Sequence, residues 1–218
     1  MIVPIFPLPN VVFFPRTHLP LHIFEERYRI MTREALSGNR SIAMVLLRDG
    51  WEEDYYGAPA VHEVACLGRI ESYEELEGGK YNILLAGQRR VRLMREVQQK
   101  PYRLAEVEPV PESRYDKSAD EIVLRRNRLG GLFMRYAELA SRGKSHLHRS
   151  VIQRSFEGLV NLVAVSLNLP AEDKQMLLEL DDLADRCDCL IPALQQQLET
   201  LVIVRDFEHL KPSDPGRN

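Results

Sequence analysis

No stretch of this 218-residue sequence supplies the ~18 uncharged apolar residues that a membrane-spanning helix needs. Its opening, MIVPIFPLPN, has no basic segment ahead of an apolar one and carries three prolines, which argues against a secretory leader. Cysteine is scarce: three residues, an odd number, make no disulfide framework, and reduced thiols in a cytoplasm are the simpler expectation. Neither sign of charge dominates, since 29 Lys and Arg against 32 Asp and Glu leave a net of −3 that names no partner. The remaining composition, 44% hydrophobic and 28% charged, is that of an ordinary soluble globular chain and excludes collagen-like and disordered classes. The length admits two compact units or one large one.

Catalytic motifs are missing as well. Gly143-Lys144-Ser145 has the ending of a phosphate-binding loop, but the glycine required five residues earlier is Glu138, and a helical pattern rather than a strand precedes it. His18 and His22 are four apart, yet Pro20 between them forbids the helix that would put both on one face. His146 and His148 sit in a basic loop, and Cys187-Asp188-Cys189 lacks the second pair that a zinc site needs. No G-x-S-x-G elbow occurs, and no serine, threonine or cysteine comes with a recognisable base. No catalytic residue, cofactor or metal ligand is therefore assigned, and the expectation is a protein that is not an enzyme.

What is present is uneven. Residues 114–154 hold 10 basic and 4 acidic side chains, a net of +6, while residues 155–208 hold 3 and 11, a net of −8. Proline and tyrosine content also shifts at PVPES, which places a boundary after Glu112: a β unit over 1–112, a helical bundle over 113–208 and a polar tail over 209–218. In the first part SIAMVLL (41–47) has strand length, and the stretches from Val64 to Tyr73 and Tyr81 to Leu93 flank Gly78-Gly79, a hairpin turn that needs positive φ. Gly87 marks a bulge or a close backbone contact, with Arg90 on a solvated strand face. Pro101 opens a last strand, YRLAEVEPV. One helix, Glu25 to Leu36, sets Tyr28, Met31 and Ala35 on one face and ends at Ser37-Gly38. In the second part helical stripes run over Asp120–Ala140, Val151–Leu167, a stretch opened by Pro170, and a final helix after Asp181-Asp182 with Pro192 inside it.

Ile5-Phe6-Pro7-Leu8, Val12-Phe13-Phe14-Pro15 and LPLHIFEERY (19–28), followed by Gly68-Arg69-Ile70, Gly79-Lys80-Tyr81, GQRRV (87–91), Pro101-Tyr102 and AEVE (105–108), resemble the N-terminal, substrate-binding domain of the Lon proteases. Lys174-Gln175, Leu177-Leu178-Glu179 and Arg186 are similar to the closing helices of the same family, so the resemblance spans roughly Ile2 to Arg205. It implies an α+β fold: a PUA-like β pseudo-barrel with one inserted helix, then a C-terminal α-helical bundle. It also implies a free-standing domain, because neither the ATPase nor the Ser-Lys protease module of Lon is recognisable here. In that reading Pro7, Pro15 and Pro20 stiffen the segment that wraps the barrel, and His22, Glu25, Arg27 and Tyr28 serve structure, with His22 and Arg27 paired beneath the barrel.

The leading expectation is a non-catalytic module, cytoplasmic and without a membrane partner, that binds exposed apolar polypeptide segments or a partner protein. Its candidate contacts are Phe13, Phe14 and the acidic-aromatic loop Trp51, Tyr55 and Tyr56, because Trp and Tyr are enriched at binding hot spots. The alternative is an RNA-binding module that uses the barrel and the arginines of the basic segment, among them Arg125, Arg126 and Arg128. The direction of those arginines discriminates: pairing with the aspartates at 181–188 favours charge neutralisation inside the bundle.

Overall fold

A computed structural model of the chain describes residues 1–54, 57–113, 115, 116, 119–141, 151 and 153–206. The chain divides into two compact units, Met1–Arg114 with Asn161–Leu183, and Tyr115–Val160 with Ala184–Asn218.

The first unit is built on one sheet. Its strands are β1 (Ile2–Leu8), β2 (His18–Ile23), β3 (Ser41–Leu46), β4 (Val64–Leu76), β5 (Lys80–Gln98) and β6 (Leu104–Pro109), in the order β2-β5-β4-β3-β1-β6. The early part of β5 pairs with β2 and its later part with β6, which closes the sheet into a barrel. Helix α1 (Glu26–Ser37) is inserted before β3 and buries Tyr28, Met31, Thr32 and Ala35. The Tyr28 ring lies 4.1 Å from that of Phe6, inside a core shared by Ile23, Met31, Ile42, Ile70 and Leu85. The turn joining β4 to β5 holds Gly78 at φ 75° and Gly79 at φ 68°, as the Gly-Gly pair requires.

Strands β1 and β2 were not legible in the sequence as strands, because each contains proline, and the reason they survive is positional. The Ile5 N–H donates to Arg103 O on the β6 side. Pro7, of the same parity, faces that side beyond the β6 ladder, which runs only from Ile2 to Pro4. Pro4 faces β3 one residue before that ladder begins at Ile5. No ladder hydrogen bond is lost at either proline. At the other end of the domain the last strand begins at Leu104, two residues later than the expected start at Tyr102.

The bulge and the close backbone contact expected at Gly87 are both present. The bulge falls one residue on: Gly87 pairs with Gly68 and Arg89 with Leu67, leaving Gln88 as the extra residue. Gly87 is needed for space, since a Cβ there would stand 2.2 Å from the Phe14 carbonyl oxygen, and not for positive φ, which among the described glycines only 50, 78 and 79 take. Arg90, by contrast, is not on a solvated face. The bulge turns it inward, where it is 1% exposed. Its Nη1 donates to Leu178 O and Leu180 O (both 3.0 Å) and its Nη2 to Pro111 O (3.1 Å). Glu112 at 2.7 Å and Asp181 at 3.2 Å balance the charge. The carbonyls it caps end helix α4 (Ala171–Glu179), so one strand arginine ties that helix and the exit from β6 to the barrel.

The second unit is helical: α2 (Asp120–Ala140), the start of α3 (Phe156–Ser166) and α5 (Leu183–Asp206). The regular turns of α3 begin at Phe156, later than the apolar run starting at Val151, because the Ser155 hydroxyl accepts the Gly158 N–H at 3.1 Å and caps the helix there. Both glycines in the middle of α2 remain helical. A Cβ on Gly130 would come 3.6 Å from Leu159 Cδ2, so its missing side chain lets another helix approach. Gly131 is exposed and a Cβ there meets nothing within 4 Å. Gly131→Ala is therefore expected to raise stability by ~0.5–1 kcal/mol, read as a higher urea midpoint. Cys66 and Cys187 are buried and Cys189 is exposed, all as free thiols. Burial pushes the Cys187 thiol up to about 12, which keeps it protonated and inert.

Candidate functional site

The first unit carries an exposed groove of about 520 Å³ on the outer face of β2, β5 and β4. The register builds it in rows: His22 stands opposite Asn82, which stands opposite Glu74, and Pro20 opposite Leu84, which stands opposite Ser72. Successive strand residues face opposite sides, so these six share one face while Ile23, Ile83 and Leu85 point into the core. The β4 half of this hairpin is exposed from Glu71 to Glu75.

A hydrogen-bonded chain crosses the first row. The Asn82 Nδ2 donates to Glu74 Oε2 at 3.1 Å, because a carboxylate only accepts. Asn82 Oδ1 then faces His22 Nδ1 at 2.8 Å and accepts its N–H. In the neutral tautomer so fixed, Nε2 is left as an acceptor. One large ring flanks the site: Phe24 is 59% exposed and stacks beside the His22 ring at 6.0 Å. Tyr73, 49% exposed, stands opposite Ile83 and so turns to the other side of the sheet, where the Arg40 guanidinium lies 6.0 Å from its ring. Glu71 reaches the His18 ring nitrogen at 2.9 Å. Among the described residues no lysine or arginine lines the groove, and Glu74 gives it a negative bias.

A second cavity of about 430 Å³ lies beside α1, lined by Pro7, Arg27, Tyr28, Lys100, Tyr102 and Arg103 among others. Its arginines are engaged internally: Arg27 pairs with Glu25 at 3.0 Å and covers the Tyr28 ring at 4.6 Å, and Arg103 pairs with Glu96. The Tyr102 hydroxyl donates to Glu34. Among the described residues no group of three His, Cys, Asp or Glu side chains can hold a metal ion.

The residues singled out by sequence fall differently. Phe13 (2% exposed) and Phe14 (0%) are both buried and offer no binding surface. The Phe13 ring fills the space over Gly68, and the Phe14 carbonyl packs on Gly87 and accepts the Thr17 hydroxyl. Trp51 is half-buried in a short 3-10 turn, Trp51–Asp54, and Tyr55 and Tyr56 lie outside the described residues. His22 is exposed at the sheet edge rather than beneath the barrel. Pro15 is buried, and its carbonyl accepts from the buried Asn161 side chain at 3.1 Å. Sequence reasoning missed Phe24. The available signal was parity: Phe24 follows the core residue Ile23.

The sequence matches the family model for the ATP-dependent protease La (LON) substrate-binding domain over residues 2–196. The chain belongs to that family. Among curated Lon relatives, Lon protease 1 of Bdellovibrio bacteriovorus is 29% identical over 93% of this chain and 26% of that protease. Lon protease 2 of Syntrophobacter fumaroxidans is 30% identical over 94% of this chain and 25% of that protease. The chain thus spans about a quarter of the length of these relatives, and the match lies within a substrate-binding domain. Two solved structures share the fold. The N-terminal domain of the Mycobacterium avium complex Lon protease has a TM-score of 0.70 at 18% identity, covering 89% of this chain and 98% of the other. A Lon N-terminal domain protein from Xanthomonas campestris has a TM-score of 0.64 at 23% identity, covering 88% and 98%. The α+β architecture expected of the Lon domain is the one observed. No described helix is long and apolar enough to cross a membrane.

Proposed function

We propose that this Lon-type domain is a non-catalytic recognition module, and that the groove on β2, β5 and β4 binds exposed apolar segments of other polypeptides. The observation that carries the reading is the exposed Phe24 ring, flanking a groove that contains Pro20 and Leu84. Burying such a ring is the usual source of hot-spot energy. Membership of a substrate-binding family supports the same reading.

RNA binding has less to support it. The groove carries a carboxylate and, among the described residues, no lysine or arginine, which disfavours phosphate. In the helical unit Arg125 is committed to Asp188, with Nε and Nη2 both 3.0 Å from carboxylate oxygens, and that hydrogen bonding holds its ionisation above the ordinary arginine value. Arg126 donates to the Arg154 carbonyl at 3.1 Å.

The test is a titration with unfolded casein and with single-stranded RNA at low and high salt. Casein is expected to bind weakly, because a small groove offers few anchors and the chain loses freedom on docking. Phe24→Ala should weaken binding by about 1 kcal/mol or more, roughly fivefold to tenfold, with little change in thermal midpoint, whereas Tyr73→Ala, on the other side of the sheet, should leave it within about twofold. Salt-sensitive RNA binding without casein binding would overturn the reading.

A further inference from the structure

Among the described residues β2 is the outermost strand of the sheet, paired with β5 and with no other strand. Which of its main-chain groups face outward follows from its first contact. The Gly87 N–H donates to the Thr17 carbonyl at 2.9 Å, so Leu19, Leu21 and Ile23, which share that parity, direct their N–H and C=O groups toward β5. His18, Pro20 and His22 direct theirs away from the sheet. All three are exposed. His18 and His22 present donors, all three present carbonyl acceptors, and no hydrogen bond joins them to another described backbone group beyond the β5 ladder.

The side chains along this edge set the chemistry of what can lie there. On one face stand His18 and His22, with the Glu71 carboxylate drawn to His18 and Glu74 held through Asn82. On the other face the half-buried Leu19 and Leu21 pack on the core. A second copy of this chain fits poorly. An antiparallel pair centred on Pro20 would set each Pro20 carbonyl against the other copy's proline nitrogen, which has no hydrogen to donate, and this is how an edge proline discourages self-association.

We infer that the β2 edge takes an extended polypeptide segment as an added strand, one that alternates basic side chains with apolar ones. The inference rests on the polypeptide reading above and specifies its mode. Main-chain hydrogen bonds to His18, Pro20 and His22 would hold the segment whatever its sequence, and alternate side chains would supply selectivity. Its basic residues would fall on the acidic face near Glu71, and its apolar ones beside Leu19 and Leu21.

The experiment is fluorescence anisotropy with the whole chain and a short fluorescein-labelled peptide of alternating lysine and valine. Binding is expected, and exchanging the lysines for glutamates should weaken it about tenfold or more. N-methylation of every second amide should abolish binding in one parity and leave it within about twofold in the other, because only one set of amides faces β2. If both methylated peptides bind equally while Phe24→Ala still weakens them, strand addition is wrong and the polypeptide reading stands. If neither this peptide nor unfolded casein binds, that reading falls too. A glutamate peptide that binds as well as the lysine one overturns the charge preference. A dimer of the chain that the peptide dissociates overturns the choice of occupant.

Discussion

Arg90→Ala is expected to lower the unfolding free energy of the first unit by about 3–5 kcal/mol, the range found when one partner of a buried ion pair is removed. The guanidinium is fully buried, so solvent screens little of the loss. Its removal leaves the carbonyls of Pro111, Leu178 and Leu180 without a donor and strips Glu112 and Asp181 of their cation. Arg90→Lys should recover only part of the loss, because an ammonium cannot supply the fork that reaches three carbonyls and a carboxylate together. Urea denaturation followed by circular dichroism measures both. An Arg90→Ala midpoint equal to that of the parent would mean that the network is not formed.

Gly87→Val should cost about 2 kcal/mol or more by the same measurement. Its Cβ would meet the Phe14 carbonyl oxygen at 2.2 Å and the Phe13 ring at 3.2 Å. A main-chain oxygen cannot swing aside as a flexible side chain does, so the segment carrying Phe13, Phe14 and Pro15 must lift from β5. Gly87→Ala is expected to cost nearly as much, because the first carbon makes the clash. A small effect of alanine with a large effect of valine would instead locate the problem in strand conformation.

These two positions also show where sequence reading reached its limit. The helices α1 and α2 were legible because their apolar residues repeat at helical spacing and because Gly38 or acidic first turns mark their ends. The β4–β5 hairpin was legible from Gly78-Gly79. Arg90 was not, since an arginine in an alternating strand looks solvated, and the carbonyls it caps lie 88 and 90 positions away. Phe13 and Phe14 looked like binding contacts, yet both are buried because this segment lies outside the strands and covers two glycines, Gly68 and Gly87. The groove itself could not be read. It depends on the register that aligns His22, Asn82 and Glu74 across three strands, and register is a tertiary property.

The central claim, that polypeptide is recognised on the groove of β2, β5 and β4, is tested most directly by an amide chemical-shift titration of the labelled chain with unfolded casein. Progressive shifts are expected at Leu21, His22, Phe24, Tyr73 and Asn82, with Phe24→Ala suppressing them. Shifts clustered elsewhere, with these amides unmoved at saturating casein, would contradict the account.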